Sequence, residues 1–345
     1  MKRFISIVMS VLLVLLMAGC GTAAPQESAF TYWTEDAPAI AELKAYVEAV
    51  TDEKSEDFIP VEDRIVMFDL DGTLYCETFP IYGEWILYSD YVLNVLGEEA
   101  PEHLRAVAEE LAAITWPKDI PGHMEETHIK AHAEAFAGLT IEEYYAIVDA
   151  YKETEAYGYS GMTRGEAFYL PMLEVVDYLL ENDFIVYICS GTNRFTVRGL
   201  IDGVIDIPAR QVIGTDFTIV ATGQGEEMDM HYTFTAEDEL LMGDTLITKN
   251  VKMSKVAQME QELGQKPVLV FGNSSGDVPM AIYAVEDNTY KTAAFFLLCD
   301  DVVRERGNLD KAASMKKTCD EKGWTTISMA NDWTTIFGDD VKVVK

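Results

Sequence analysis

Val66-Met67-Phe68-Asp69-Leu70-Asp71-Gly72-Thr73-Leu74 decides the fold of this chain. The apolar run 65–68, rich in β-branched and aromatic residues, predicts a buried strand that ends where two aspartates alternate with Leu70. Open α/β sheets bind ligands beyond the carboxyl ends of their strands, so Asp69 and Asp71 are expected together in such a crevice. Gly72-Thr73 supplies a tight turn with backbone N–H groups free for an anion. Two carboxylates beside that turn suit a hard cation such as Mg²⁺. One could attack phosphorus while the other handles the leaving group's proton.

Working outward, two more apolar strands end in small or acidic residues: 184–189 at Ser190-Gly191-Thr192, and 268–271 at Gly272-Asn273-Ser274-Ser275-Gly276-Asp277. Helix-then-strand alternation predicts a parallel sheet, which brings these ends side by side. The stretch 79–166 shows almost no strand signal. Its amphipathic runs (85–96, 101–114, 125–138 and 140–157, the last opening on a Thr140-x-x-Glu143 capping box) predict a helical block placed to exclude water as a lid. A hairpin of 216–221 with 228–234 is expected, then a lysine-bearing segment and a helix near 254–263.

These motifs resemble the four signatures of the haloacid dehalogenase (HAD) superfamily. Asp-x-Asp-Gly-Thr is the first, and the second Asp is the form carried by its phosphatases and mutases. The resemblance implies a Rossmann-like α/β core with an inserted helical cap, as in the phosphoserine phosphatase-like branch. It implies Asp69 as nucleophile, Asp71 as acid and base, Ser190 as a phosphoryl hydrogen-bond donor, and a lysine upstream of the last acidic loop. Lys249, Lys252 and Lys255 crowd that stretch; Lys255, followed by Val256 and Met259 on an apolar face, is the choice, with Lys252 second. Mg²⁺ would be held by Asp69, the Asp71 carbonyl, Asn273 and Asp277, and phosphate contacted by Gly72, Thr73, Gly191, Thr192 and Arg194. Glu77, eight residues after Asp69, is either a plain surface acid or, as the resemblance to phosphoserine phosphatases implies, a group that recognises an amino or quaternary ammonium substituent. The fourth signature departs from the usual Gly-Asp-x-x-x-Asp: Asn273 replaces an acid, which weakens the metal site and leaves open a catalytically impaired phosphate-binding protein. A phosphomutase is a further alternative. Gly-Asn-Ser-x-Gly-Asp, together with the stretches at 64–77, 171–173 and 323–333, is similar to a group of exported bacterial HAD proteins.

With 26 basic against 59 acidic side chains the formal charge is -33, so nucleic acid and anionic headgroups are poor partners and any phosphate site must gather its own cations. A small phosphorylated substrate is the expected partner. Met1-Lys2-Arg3 and the apolar 4–17 have the form of a secretory signal, and Met17-Ala18-Gly19-Cys20 resembles a bacterial lipobox, implying a lipid anchor on Cys20 outside the cytoplasmic membrane. The expected organisation is therefore a signal at 1–19, a tether and helix at 20–60, a core from 61–80 and 167–345, and a cap at 81–166. Cys76 and Cys189 read as buried thiols, and Cys299 with Cys319 as the one conceivable disulfide. His128-x-x-x-His132, near His123, puts two imidazoles on one helix face, read as helix packing rather than a metal site.

Overall fold

The computed structural model describes residues 30–77, 80–114 and 120–344. The signal and lipobox readings lie outside them. Four-residue β1 (Ile65–Phe68) is buried along its whole length and forms the centre of a seven-stranded sheet. Strands β2 (Ile185–Asn193), β3 (Val212–Ala221) and β4 (Leu240–Thr248) lie to one side. Strands β5 (Leu269–Gly272), β6 (Ala293–Leu298) and β7 (Thr325–Ser328) lie to the other, in the order β4-β3-β2-β1-β5-β6-β7. All neighbours are parallel except β3 with β4. Such near-continuous apolar strands need cover on both faces, and buried clusters form on each. Phe68, Phe271 and Phe295 stack across three adjacent strands with ring centroids 4.5 and 5.1 Å apart.

Helix α1 (Pro38–Thr51) precedes β1; α2 (Gly83–Asp90), α3 (Glu102–Ala112), α4 (Met124–Phe136), α5 (Ile141–Lys152) and α6 (Leu170–Glu181) all fall between β1 and β2 in the chain, and α7 (Arg194–Ile201) follows β2. α2 runs on as a π-helical turn, Tyr91–Leu96. The Thr140 and Glu143 side chains form both halves of the capping box at the start of α5. This insertion is not a detached lobe. Its 138–140 segment is bonded to β4 through Gly138 N–H to Met242 C=O and Met242 N–H to Leu139 C=O, both at 2.8 Å, and α4 packs on the same strand.

Three expectations are corrected. The hairpin partner of 216–221 is β4, not 228–234, which forms a loop. Asp238 organises that loop by accepting from the Thr235 and Gly223 amides, both at 2.8 Å, and from the Tyr232 hydroxyl. Within 20–60, the residues from 30 to the helix are docked on the core and are not a loose tether. Trp33 packs edge-on against Trp333 at 5.9 Å, and Thr34 N–H donates to Asp332 C=O, so the apolar rings of Phe30 and Trp33 anchor this segment. Cys299 and Cys319 are free thiols, as are Cys76 and Cys189, all four buried.

Candidate active site

The sheet ends deliver the site. Asp69 follows β1 directly, its N–H donating to Phe271 C=O on β5 at 2.9 Å. Lys255, on α8 (Met253–Leu263), points back beneath it. Its ammonium donates to Asp69 Oδ1 at 2.6 Å and to Asp277 Oδ1 at 2.7 Å, with all three groups buried. Burial and the two carboxylates act in opposite directions on Lys255, and the carboxylates hold it protonated. Burial also pushes Asp277 up, but Lys255, the Asn273 and Ser274 amides and the Ser274 hydroxyl outweigh it, and Asp277 stays ionised below its ordinary value. Asp69 bears the remaining cost: burial and the Asp277 charge raise its pKa against the pull of Lys255.

Gly72 turns the chain between these groups with φ +84°, and a Cβ there would lie 1.8 Å from Asn273 Nδ2, so only glycine fits. Asp71 is pushed up to about 7, first by burial and then by Asp69, with Glu84 and Glu77 adding to this and the Thr192 hydroxyl opposing it from 2.8 Å. Thr73 is buried, its hydroxyl 3.4 Å from Asp69 Oδ2.

The second loop is held from several sides. Ser190 is fully buried, its Oγ accepting the Thr192 N–H at 3.1 Å, while Gly191 and Thr192 face the cavity. Gly191 C=O accepts from Lys249 Nζ at 2.8 Å and Thr215 Oγ1 at 2.6 Å; Asn250 Nδ2 donates to Ser190 C=O at 2.9 Å. Glu84 on α2 accepts the Asn193 N–H at 2.6 Å. Asn250 and Glu84 escaped the sequence reading, because a lone amide or glutamate carries no mark of burial.

A cavity of about 690 Å³ joins these parts, a size suited to a small ligand. Asp69, Asp71, Asn273 and Asp277 form its floor. Tyr82 and Trp85 of the insertion, 5.2 Å apart in edge contact, form part of its roof. Lys252 lines the rim, exposed, with a left-handed φ of 51°, and does not reach Asp69; Lys255 does.

Two expected ligand contacts are engaged elsewhere. Arg194 is bound to Asp216 through two 2.8 Å bonds and to Glu262, so it is not free to clamp phosphate and does not line the cavity. Glu77 lines the cavity but is ion-paired with Lys311. His128 and His132 are fully buried among Trp85, Tyr88, Phe136 and Phe217, and burial keeps both neutral. His123 lies at the surface, 3.3 Å from Glu110.

Glu305 is buried near Glu77, and among the described residues it forms no ion pair. It accepts from Tyr159 at 2.8 Å and from Cys76 and Tyr169 at 3.4 Å, and burial pushes it up to about 7. At pH 4 the group is protonated in both folded and unfolded chains. As pH rises the unfolded chain ionises first, so stability is lost up to about pH 7 and then levels off. Glu305→Gln is therefore expected to stabilise the protein at pH 8 by on the order of 3 kcal/mol, with no gain at pH 4, as read by chemical denaturation.

Paired aspartates beyond the central strand of a parallel sheet, one bound to a buried lysine and all roofed by an inserted helical layer, define a hydrolase of the α/β class. The model of the haloacid dehalogenase-like hydrolase family matches residues 66–281, and the chain belongs to that family. Among solved structures it is similar to a conserved functionally unknown protein from Anaerococcus prevotii, at 13% identity and TM-score 0.54, covering 88% of this chain and 94% of that one. A protein of unknown function from Bordetella pertussis follows at 15% identity and TM-score 0.48, covering 76% and 97%. Cytosolic 5'-nucleotidase IIIB bound to cytidine has 12% identity and TM-score 0.48, covering 85% and 87%. No curated protein matches the sequence.

Proposed function

We propose that this protein is a Mg²⁺-dependent phosphomonoesterase that works through an aspartyl phosphate on a small extracytoplasmic substrate. The observation that carries the reading is the Asp69–Lys255–Asp277 bridge with Asp71 two residues along the same turn. Lys255 orients the Asp69 carboxylate and leaves Asp69 Oδ2 for attack on phosphorus. As that O–P bond forms and the ester P–O bond breaks, Asp71 gives its proton to the departing alkoxide. A pKa of about 7 suits this work at neutral pH. Asp71 then takes a proton from the water that attacks the acyl phosphate, and inorganic phosphate leaves. The Gly191 and Thr192 loop and Lys255 balance charge on the transferring group.

Among the described residues no three His, Cys, Asp or Glu side chains cluster as a metal site. The ligand set that fits is mixed. Asn273 is 3% exposed and its Nδ2, which a Cβ on Gly72 would meet at 1.8 Å, has no hydrogen-bond partner; the uncommitted amide lines the same cavity as Asp69 and Asp71. The Asp69 carboxylate, the Asp71 main-chain carbonyl and Asn273 Oδ1 would hold the cation, whereas Asp277 is already committed to Lys255 and its own loop. When bound, Mg²⁺ supplies positive charge for the phosphoryl oxygens. The signal-like 1–19 and the lipobox at Cys20 support a lipid-anchored protein on the outer face of a bacterial cytoplasmic membrane; among the described residues no helix is long and apolar enough to span one.

The test is phosphate release from small phosphomonoesters, with Mg²⁺ and with a chelator. Turnover that needs the metal supports the reading; tight phosphate binding without turnover would replace it with a binding lipoprotein. Asn273→Asp restores a negative ligand and is expected to lower the Mg²⁺ concentration for half-maximal rate roughly tenfold, since ligand charge tunes such sites.

A further inference from the structure

One buried carboxylate in the cavity wall takes no part in the bond-making and bond-breaking steps. Glu84 stands on α2, in the inserted layer, and is 3% exposed. Its Oε1 accepts the Asn193 N–H at 2.6 Å, and its Oε2 lies 4.0 Å from Lys249 Nζ, which itself donates to Gly191 C=O at 2.8 Å. One ion pair therefore grips both ends of the Gly191-Thr192-Asn193 run, one partner reaching from the insertion and the other from the segment after β4. Between those grips the Thr192 hydroxyl donates to Asp71 Oδ2 at 2.8 Å. Burying a carboxylate is costly unless it is bonded, and both Glu84 oxygens face groups of this loop assembly.

We infer that Glu84 is a positioning residue: through the Asn193 amide and Lys249 it fixes the 191–193 loop, holds Thr192 against Asp71, and ties turnover to the seating of α2 on that loop. The inference rests on the phosphomonoesterase reading above. A cap helix that lifts away takes the carboxylate with it and leaves the Asn193 N–H unbonded. Asp71 then loses its alignment even though no group that touches substrate has changed.

The deciding experiment compares Glu84→Ala and Glu84→Gln in the intact protein by steady-state kinetics and by hydrogen–deuterium exchange of a peptide spanning 189–196. Glu84→Ala should lower kcat roughly tenfold or more while KM moves less than about threefold, and should speed exchange in the peptide. Glu84→Gln keeps an oxygen for the Asn193 N–H and should recover most of kcat and of the protection. Loss of melting temperature with kcat per folded molecule unchanged, a loss carried by KM, or Glu84→Gln as impaired as Glu84→Ala would overturn the inference. Should Glu84→Ala not fold, Glu84→Asp decides: its shorter carboxylate withdraws from the Asn193 N–H, so exchange in the 189–196 peptide must quicken and kcat fall roughly tenfold with KM little moved, and unchanged kcat and exchange overturn the inference. If the wild-type protein hydrolyses no ester, the phosphomonoesterase reading fails by itself. The exchange comparison then decides the clamp alone: faster exchange in Glu84→Ala than in wild type and Glu84→Gln supports it, equal exchange overturns it.

Discussion

Asp69→Asn is expected to abolish phosphate release, with kcat falling roughly 10⁴-fold or more, because no neighbouring group can take over the attack. Asp277, the other carboxylate on Lys255, is tied down by the Asn273 and Ser274 amides, and Asp71 is held by Thr192. The same change should make the metal-free protein more stable at pH 8. Burial and Asp277 hold the folded-state pKa of Asp69 above its unfolded value, so its ionisation costs stability as pH rises through that interval. An amide has no such cost, so the gain should vanish near pH 3, where the carboxyl is protonated in both states. A dead variant that melts higher at pH 8 identifies a carboxylate kept for chemistry. A variant that is inactive because it is misfolded would melt lower at every pH.

Lys255→Met should be damaging on both counts. Removing the cation that bonds both Asp69 and Asp277 leaves two buried carboxylates facing each other, a loss of about 3–5 kcal/mol when one partner of a buried pair is removed. The rate should fall roughly 10²–10³-fold, the scale for losing one preorganised charge from a transition state. The two effects separate in the double variant. Asp69→Asn placed in the Lys255→Met background should recover much of the lost stability, since one of the two opposed charges is gone, and recover no activity. Simple additivity of the two stability changes would mean that Lys255 does not bridge these carboxylates in solution.

The extent to which this architecture is readable from sequence depends on how local each signal is. Asp69 and Asp71 announce themselves because a four-residue apolar strand, two acids and a glycine that must adopt positive φ lie within eight residues. Lys255 is favoured over Lys252 by the apolar Val256 and Met259 that follow it, and the fold separates the two: Lys255 lies within α8, one turn before the buried Met259, whereas Lys252 is the exposed residue that caps the helix. The partner of β3 is not readable in this way. Met228, Met230 and Phe234 alternate with polar residues as a strand would, yet Asp238 collects the polar groups of 223–235 into a loop, and the pairing passes to 240–248. Arg194 misleads for a related reason: its motif context suggests phosphate, but β3 and α8 bring Asp216 and Glu262 to it, and neither is near in sequence. Glu84 and Asn250 acquire meaning only from distant segments, which no spacing within their own helix or loop reveals.

The bonds that join 138–140 to β4 have a further consequence, one for colloidal behaviour. β4 closes one side of the sheet, and an unpaired strand there offers its row of N–H and C=O groups to any passing chain. Around Met242 that row is already occupied by the backbone of the insertion, leaving exposed Leu240 and Ile247 at the two ends of the strand. The helical layer over the catalytic cavity thus also stoppers a surface prone to self-association. A version trimmed to its sheet would trade an opened active site for a sticky flank.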